Sequence, residues 1–366
     1  MINSENLLKF FLKKEINFFA GVPDSCTNEF CNALNKNKKV HNIVTANEGV
    51  AISLGIGYFL STKKIACVYL QNSGLGNAID PLTSLSNKEV YKIPLMLMIG
   101  WRGAPGIKDE AQHNVQGRIL LKSLKLFGIK YLIINKDRNK AKIESLIKYA
   151  KKNSRCVALI LKPKKLTKVN RNVQKFEEKL ILRKNLIESL LKNTSKNSKI
   201  ISSVGFNSRE LCQIRLEKNF KNGRDFLMVG AMGHTSSVSL AISKFNKNNT
   251  ICLDGDGSFI MHLGSLTLVG NYPRKNFKYI MVDNGSHESI GNQYINIRKI
   301  NIKKLSESLG FKNFFYTKFK KDLDVNMKKF LNSKGPSFFH VKIQLGTLKN
   351  LVRPKNFEQI KRKFMQ

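Results

Sequence analysis

Acidic and amide side chains end two apolar runs that are separated by a short helical stretch. The first run ends in DGDGS (254–258) and the second in DNGS (283–286). Glycines let backbone N–H groups approach an anion closely, and a helix beginning near Ser258 points its positive end at the same place. The carboxylate of Asp256 is the hard oxygen ligand that Mg²⁺ or Ca²⁺ prefers. The pattern predicts a metal ion and a phosphate group bound together.

The two strand ends are expected to meet at one edge of a parallel sheet. Consecutive parallel strands deliver their carboxyl ends to that edge, where open α/β sheets bind ligands. Asp256 and Asn284 can then share a cation that bridges a diphosphate. The alternative is a pair of Gly-containing turns after two core strands, since a lone Gly-Asp-Gly is a weak signal. The second strand end and its spacing favour the site.

The elements that must position these side chains alternate between apolar runs and helical patterns. Short runs bounded by Gly, Asn or Pro indicate buried strands of a parallel sheet, and the helical patterns include 48–60, 183–193 and 235–245. The alternation predicts an α/β protein with two doubly wound parallel-sheet domains. The predicted strands lie at 64–70, 93–100, 131–135, 156–162, 199–205, 225–230, 250–257, 278–285 and 337–344.

A polar segment divides the chain into halves of similar size. From about 163 to 182 the sequence is charged and contains no strand-like run. We predict a first domain at 1–165, a linker of extended chain at 166–182 and a second domain at 183–366. No sequence repeat relates the halves, although their architectures look alike.

The charge of the chain is strongly basic, at a formal net value of +39 over 366 residues. Its lysines are scattered over the whole sequence and do not alternate with aromatic residues as they do in a single-strand binder. We therefore expect no nucleic-acid partner, and instead a general attraction for small anions. Apolar residues make up 42% and charged residues 24%, which is ordinary for a globular protein.

The cysteine usage and the first residues bear on the compartment. The six cysteines form no C-x-x-C pair, which is typical of a reduced, intracellular protein. The opening MINSENLLKFF lacks the order of a signal peptide, and no apolar run approaches the ~18 residues of a membrane span. We expect a cytoplasmic protein that does not bind a membrane.

At this point the second half of the sequence resembles the thiamine diphosphate enzymes. Their signature is a Gly-Asp-Gly followed downstream by an Asn pair, and here Asp283 replaces the first Asn. The resemblance implies a pyrimidine-binding domain followed by a diphosphate-binding domain, without a middle domain. It also implies Mg²⁺ ligands at Asp256, Asn284 and the backbone carbonyl of Ser286.

The resemblance implies further contacts with the cofactor. Glu48, in VTANEGVAISLGIGY (44–58), matches the Glu that hydrogen-bonds the aminopyrimidine ring, although acids are common in the first turn of any helix. VGAMGHTSS (229–237) offers Met232 as the wedge that bends the cofactor and the Gly230 carbonyl for its 4′-amino group, although Met is often plain core filler. The implied contacts of the diphosphate are Asn207, Ser208, Gly255, Gly257, Ser258 and Asn284.

Three stretches of the first half narrow the resemblance to the phosphonopyruvate decarboxylase family. They are GVPDS (21–25), QNSGLGNAIDPLTSL (71–85) and GWRGAPGIKDEAQHNVQGR (100–118). Two departures are Ala111, where a Pro is expected, and Asn207, where a Thr is usual. The third stretch could also be a solvated surface turn, but a long loop rich in Gly, Trp, Arg and His after a buried strand favours function.

The chemistry of that substrate fits the residue types of these stretches. Phosphonopyruvate carries a carboxylate and a phosphonate, and a guanidinium suits a forked contact with a phosphonate. Carboxyl and imidazole groups suit proton transfer. The implied substrate-binding residues are Arg102, Lys108, Gln71, Asn72 and Ser73, and the implied proton-transfer residues are Asp24, Asp109 and His113, beside Glu48.

The resemblance implies decarboxylation of 3-phosphonopyruvate to phosphonoacetaldehyde and CO₂, in phosphonate biosynthesis of the 2-aminoethylphosphonate type. It also implies a homodimer, or a dimer of dimers, with active sites at the subunit interface. The alternatives are a sulfopyruvate decarboxylase, another small 2-oxo acid decarboxylase or carboligase of the same fold and, from a different class, a basic nucleic-acid-binding protein. Salt-dependent retention on DNA would favour the last.

Overall fold

Two parallel sheets, one in each half of the chain, organise the structure. The computed structural model describes residues 2–134, 139–167, 177–218, 220 and 224–366. The chain divides into a first unit of Met1–Asn172 with Ile290–Asn296 and a second unit of Val173–Ser289 with Ile297–Gln366. Residues 168–176 of the predicted linker lie outside the described residues, so the extended linker stays a prediction.

The first unit alternates strands and helices from its beginning. Its described strands all run parallel in one sheet, except β12, which lies outside that sheet. The strands are β1 (Phe18–Gly21), β2 (His41–Val44), β3 (Cys67–Gln71), β4 (Met96–Gly100), β5 (Lys130–Ile134), β6 (Val157–Leu161) and β12 (Gln293–Tyr294). The helices are α1 (Ser4–Lys13), α2 (Asn28–Lys36), α3 (Glu48–Thr62), α4 (Leu75–Pro81), α5 (Ala111–Leu126) and α6 (Lys140–Asn153).

The second unit repeats this alternation, again with a parallel sheet. Its strands are β7 (Lys199–Ser202), β8 (Arg224–Leu227), β9 (Thr250–Gly255), β10 (Phe277–Asp283), β13 (Asn313–Thr317) and β14 (Ser337–Lys342), with the short β11 (Ser286–His287) outside the sheet. Its helices are α7 (Arg183–Asn193), α8 (Phe206–Glu217), α9 (Thr235–Phe245), α10 (Asp256–Met261), α11 (Leu268–Asn271), α12 (Ile302–Ser308), α13 (Lys320–Asn332) and α14 (Phe357–Met365).

The two sheets share one strand order. The first reads β2-β1-β3-β4-β6-β5 and the second, taken in the same direction, reads β8-β7-β9-β10-β14-β13. In each sheet the strand order changes direction between the strands that come first and third along the unit. These are β1 and β3 in the first sheet and β7 and β9 in the second. Such a reversal opens a crevice at the carboxyl ends of the strands, where ligands bind in open α/β sheets. The similar architecture expected of the two halves is therefore confirmed, down to the topology.

Each sheet is covered on both faces, as the fold class predicts. Phe19 and Ala20, neighbours on β1, lie fully buried in two different apolar clusters. Ile280 of β10 packs in one cluster of the second unit, while the ring of the adjacent Tyr279 lies 5.1 Å from the ring of Phe338. Alternate strand residues thus face opposite layers, the pattern of a sheet buried between helices. The predicted α/β class with two doubly wound sheets is confirmed.

Segment Ile290–Asn296 belongs to the first unit, whereas the sequence placed it in the second domain. The reason is a cluster of amides around Gln293. The Gln293 side chain donates to the Oδ1 atoms of Asn28 at 3.2 Å and Asn32 at 2.7 Å, and it accepts from Asn35 at 2.6 Å. Amide clusters of this kind are invisible to apolar periodicity.

The end of the predicted linker packs against the second unit. Ile181 is fully buried in the core of the second unit, and its carbonyl accepts from the backbone N–H of Gln344 at 2.9 Å.

In the described part of the chain, no helix has the length and apolar character needed to cross a membrane. All six cysteines are free thiols.

Candidate active site

The two strand ends singled out in the sequence meet at the edge of the second sheet. Strands β9 and β10 are hydrogen-bonded neighbours. Asp256, the first residue of α10, accepts from the Gly257 N–H on Oδ1 at 2.8 Å. Its Oδ2 accepts from the N–H groups of Asn284 at 3.1 Å and Gly285 at 2.7 Å. The predicted proximity of Asp256 and Asn284 is confirmed.

The two acids of this edge differ in their charge compensation. Burial, together with the Asp283 carboxylate, raises the pKa of Asp256 to about 7. Burial would also raise the pKa of Asp283, but the hydrogen bond with His340 and the nearby charge of Lys342 together outweigh burial and lower that pKa. Asp283 lies 2.8 Å from His340 Nε2 and 3.5 Å from Lys342 Nζ. The carboxylate of Asp283, at the position where the resemblance implies an Asn, therefore has basic partners on β14.

The donor set at this edge suits a hard divalent cation. It combines the Asp256 carboxylate, the Asn284 amide oxygen and the Ser286 carbonyl, all oxygen ligands of the kind that Mg²⁺ takes. The Ser286 hydroxyl oxygen is buried and has no hydrogen-bond partner among the described residues. These residues fit a metal-bound diphosphate, and their ligand roles stay predictions.

The turn between β7 and α8 lies beside the same glycines. A Cβ on Gly255 would stand 3.7 Å from Asn207 Nδ2, so the amide reaches the predicted diphosphate site. Ser208 already donates its hydroxyl to the carbonyls of Ser202 and Ser203, at 3.0 and 2.9 Å. We therefore expect the backbone at the start of α8 and the Asn207 amide to contact the anion more directly than the Ser208 hydroxyl.

Met232 packs against the glycine-rich turn. Its methyl carbon lies 3.0 Å from the position of a Cβ on Gly257. The next residue, Gly233, donates its N–H to Ser258 Oγ at 3.0 Å. This placement suits the predicted wedge beneath the cofactor. Gly230 lies half-buried on the same loop, and the contact of its carbonyl stays a prediction.

Glu48 occupies a buried position on the first unit. It begins α3, whose N-cap Asn47 accepts from the Val50 N–H at 3.0 Å. Its side chain accepts from Asn77 Nδ2 on Oε2 at 2.7 Å, and burial raises the pKa of Glu48. A buried carboxyl with a raised pKa is suited to exchange a proton with a bound group. The sequence missed Asn77 as its partner, although Asn77 lies within the quoted 71–85 stretch.

Gly74 makes room for the Glu48 carboxyl, which gives a test of its position. A Cβ on Gly74 would stand 2.0 Å from Glu48 Oε1, whereas a Cβ on Gly76 would meet no atom of the described residues within 4 Å. We expect Gly74→Ala to displace the carboxyl and to lower kcat by about 100-fold, the lower range for a lost acid–base group. Gly76→Ala is the matched control and should keep wild-type activity. Equal activity of the two variants would contradict the placement of Glu48.

Asp24 is a second buried carboxyl of the first unit. It follows β1, is 1% exposed, and accepts on Oδ1 from the N–H groups of Cys26 at 2.9 Å and Thr27 at 2.7 Å. Its Oδ2 is buried without a hydrogen-bond partner among the described residues, beside Gly100 at the end of β4. Burial raises the pKa of Asp24. A protonated Asp24 can therefore donate from Oδ2.

Arg102 and Asp109 form a two-point ion pair in the predicted substrate loop. Arg102 Nε donates to Asp109 Oδ2 at 2.7 Å, and its Nη2 contacts Oδ1. Arg102 Nη1 also donates to Ser25 Oγ at 2.9 Å, a partner that the sequence did not reveal. Burial would raise the pKa of Asp109, but hydrogen bonds from Arg102 and Gly103 outweigh it and lower that pKa. Asp109 is better suited to hold Arg102 than to donate a proton.

The other predicted substrate residues differ in their surroundings. Asn72 is buried and brackets the backbone of Arg102, accepting from its N–H at 3.0 Å and donating to its carbonyl at 2.9 Å. Ser73 is exposed and donates to Gln71 Oε1 at 2.7 Å, and Lys108 is exposed. Asn72 therefore shapes the loop, while the other three stay predictions as substrate contacts.

His113 lies half-buried on α5. Burial and the nearby Arg102 guanidinium lower the pKa of His113 to about 4. The ring is therefore neutral near pH 7, and its Nδ1 is buried with no hydrogen-bond partner among the described residues. A neutral imidazole can accept or relay a proton, but it does not carry the charge of an imidazolium.

The two halves of the chain match the two domains of one enzyme family. Residues 3–134 match the thiamine pyrophosphate enzyme N-terminal TPP binding domain, and residues 204–341 match the C-terminal TPP binding domain. The first match contains Glu48, and the second contains Asp256 and Asn284. The chain belongs to the thiamine pyrophosphate (thiamine diphosphate) enzyme family, whose cofactor binds with a divalent metal.

Two curated relatives match nearly the whole chain, and a third matches about half of it. A phosphonopyruvate decarboxylase from Streptomyces viridochromogenes is 28% identical, over 97% of this chain and 92% of its own length. A sulfopyruvate decarboxylase from Methanosarcina acetivorans is 25% identical, over 99% and 96%. The beta subunit of a sulfopyruvate decarboxylase from Methanothermobacter thermautotrophicus is 32% identical, over 46% of this chain and 85% of the subunit.

Proposed function

We propose that this protein decarboxylates 3-phosphonopyruvate to phosphonoacetaldehyde and CO₂. The chain is a thiamine diphosphate-dependent decarboxylase of the phosphonopyruvate and sulfopyruvate decarboxylase type. The choice of phosphonopyruvate is supported by the relatives of that name and by one structural observation. A guanidinium is fixed at the carboxyl edge of the first sheet, where Arg102 is gripped by Asp109.

The chain would hold its cofactor through the second sheet. Asp256, the Asn284 amide oxygen and the Ser286 carbonyl would ligate Mg²⁺, and the glycines of 254–258 with Asn207 would contact the diphosphate. When bound, thiamine diphosphate supplies the nucleophilic carbon and the electron sink that decarboxylation of a 2-oxo acid requires. Met232 would support the cofactor from the side of Gly257.

Residues of the first unit would transfer protons and bind the charged groups of the substrate. Glu48 would hydrogen-bond the cofactor's aminopyrimidine ring. Its raised pKa suits the exchange of a proton with that ring. Asp24 would donate a proton after CO₂ has left, because its unpartnered Oδ2 is buried and its pKa is raised. His113 would relay protons as a neutral base. Arg102, with Lys108, would bind the phosphonate.

A homodimer is part of the proposal. In the family that the sequence resembles, the two cofactor-binding faces of a site come from different subunits. Glu48 of one chain would then serve the metal site of Asp256 in its partner. Mixing two inactive variants, Glu48→Gln and Asp256→Asn, should restore activity in about a quarter of the sites if subunits exchange at random.

Arg102 offers the sharpest test of the substrate. Arg102→Gln removes a charged hydrogen-bonding contact worth about 1.5–3 kcal/mol, so kcat/KM for phosphonopyruvate should fall about 10- to 100-fold. Pyruvate, which lacks the phosphonate, should be turned over at an unchanged low rate. Arg118→Gln is the matched control, since Arg118 is exposed on α5. Equal losses with both substrates would contradict a phosphonate contact at Arg102.

The product identifies the reaction. Phosphorus NMR of a holoenzyme reaction should show phosphonoacetaldehyde, with one CO₂ released for each phosphonopyruvate consumed. A coupled product built from two substrate molecules would instead indicate carboligation. Sulfopyruvate is the second candidate substrate because of the relatives that carry its name. A sulfonate bears one negative charge, so a site built for it would lose less on substitution of Arg102.

A further inference from the structure

A buried ion pair lies next to the predicted metal ligand Asn284 in the second unit. Arg183, the first residue of α7, contacts Glu288 through Nη2 and Oε2 at 2.6 Å. Their side chains are only 5% and 8% exposed. Neither residue belongs to the motifs by which the sequence predicts the cofactor site. Buried pairs are often no more stabilising than apolar replacements, so this pair calls for another explanation.

Each member of the pair contacts one of the two amides of the predicted cofactor site. Glu288 Oε2 accepts from Asn284 Nδ2 at 2.9 Å. Arg183 Nε donates to Asn207 Oδ1 at 3.0 Å. The Glu288 carboxylate therefore contacts the NH₂ group of Asn284, and the Arg183 guanidinium contacts the amide oxygen of Asn207.

These contacts fix the two amides in opposite directions. With its NH₂ group held by Glu288, Asn284 turns its oxygen away from the pair, where it accepts from the Ser286 N–H at 3.0 Å. With its oxygen held by Arg183, Asn207 turns its NH₂ group toward Ser203 Oγ, at 3.1 Å, and toward Gly255. An oxygen is what a metal ion requires, and an N–H donor is what a diphosphate requires.

We propose that the Arg183–Glu288 ion pair is the positioning device of the cofactor site, orienting Asn284 as a metal ligand and Asn207 as a diphosphate donor. The inference rests on the proposed roles of these two amides. It adds Arg183 and Glu288 as positioning residues that act through other side chains. Partners that orient a ligand in this way typically change metal affinity by about 10- to 100-fold when they are removed.

Further contacts surround the pair and hold it in place. Glu288 Oε1 accepts from the Gly346 N–H at 2.5 Å, and Arg183 Nη1 lies 3.7 Å from Glu210 Oε1. Glu210 is fully buried, and its Oε1 accepts from the Leu348 N–H at 3.1 Å. The chain after β14 thus packs over the pair. A rigid pair can select one orientation of an amide whose two ends are nearly equal in shape.

Binding measurements on the whole apo protein test the inference without relying on turnover. Calorimetry would give the Mg²⁺ affinity at saturating thiamine diphosphate and the thiamine diphosphate affinity at saturating Mg²⁺. Glu288→Ala should weaken the Mg²⁺ affinity about 10- to 100-fold. Arg183→Lys keeps the charge beside Glu288 but lacks the Nε donor. It should therefore weaken thiamine diphosphate binding about tenfold and leave the Mg²⁺ affinity near wild type.

A similar ion pair elsewhere in the unit provides the control. Arg215 donates two hydrogen bonds of 2.7 Å to the Asp225 carboxylate, and the two side chains are 14% and 13% exposed. Arg215→Met should lower the midpoint of thermal unfolding and leave both affinities unchanged. If Glu288→Ala and Arg183→Lys changed the affinities no more than Arg215→Met does, the pair would be merely structural and the inference would be overturned.

A double-mutant cycle separates this inference from the proposed function. If Glu288 acts through Asn284, Glu288→Ala should weaken Mg²⁺ binding in the wild type but not in an Asn284→Ala background. Equal weakening in both backgrounds would overturn the inference alone. An Asn284→Ala variant with wild-type Mg²⁺ affinity would overturn the proposed metal site, and the inference with it.

Discussion

Glu48→Gln is expected to lower the rate of CO₂ release by about 10²- to 10⁴-fold, the contribution of a positioned acid–base group. The substitution keeps the shape of the side chain and an oxygen that can accept from Asn77, which lies 2.7 Å from Glu48 Oε2. It removes the proton exchange for which burial has raised the pKa of Glu48. The loss should therefore fall on kcat, with KM little changed.

Two measurements show whether this loss is chemical. The Glu48→Gln variant should unfold at or above the wild-type temperature, since it removes a buried ionisable group. It should bind metal and diphosphate normally, because those contacts come from the second unit. Turnover within a few-fold of wild type would contradict the role of Glu48. A large loss of cofactor affinity would instead assign it to binding.

Asp256→Asn is expected to affect cofactor affinity and the stability of the apo protein in opposite directions. Loss of a charged metal ligand should weaken binding of thiamine diphosphate with Mg²⁺ by more than about 100-fold, because even a residue behind a ligand can account for 10- to 100-fold. Without cofactor the variant should be more stable than wild type near neutral pH, because burial and Asp283 disfavour the charge of Asp256.

The sign of the pH dependence follows from linkage. The pKa of Asp256 is raised from 3.8 to about 7 in the folded protein, so the folded state holds this proton more tightly than the unfolded state. The stabilisation is complete below the unfolded pKa and is lost as the pH rises through about 7. Unfolding of the apo wild type should show this decline, and Asp256→Asn should lack it.

Asp225→Asn is the matched control for Asp256→Asn. Asp225 is paired with Arg215 at 2.7 Å, so its substitution should destabilise the second unit and leave cofactor affinity unchanged. If the two variants had equal cofactor affinity, Asp256 would not be a metal ligand. If the apo form of Asp256→Asn were less stable than wild type at neutral pH, the account of its buried charge would be wrong.

The fold was largely predictable because the central strands are fully buried. Apolar runs such as 250–257 and 278–285 stand out in the sequence, and the strands β9 and β10 confirm them. The sequence missed β1, β2 and β13. Strands β2 and β13 lie at sheet edges and are partly exposed, so their polar residues hide the pattern. Strand β1 has only four residues, FFAG.

The site was predictable where one short motif carries it. Asp256 and Asn284 end adjacent strands, so topology alone brings them together. Arg183 and Glu288 are far apart in the chain, and nothing in their local sequence joins them. Asp109 looked like a proton donor because its type allows it. Only the observed ion pair with Arg102 indicates that the Asp109 carboxyl remains ionised.

Comparing substrates with the purified holoenzyme tests the proposed function most directly. The measurement is kcat/KM for CO₂ release from phosphonopyruvate, sulfopyruvate and pyruvate, with thiamine diphosphate and Mg²⁺ present. We expect a preference for phosphonopyruvate over pyruvate of at least about 10-fold, from the charged contact of Arg102. A preference for sulfopyruvate, or equal turnover of all three acids, would contradict the assignment of the substrate.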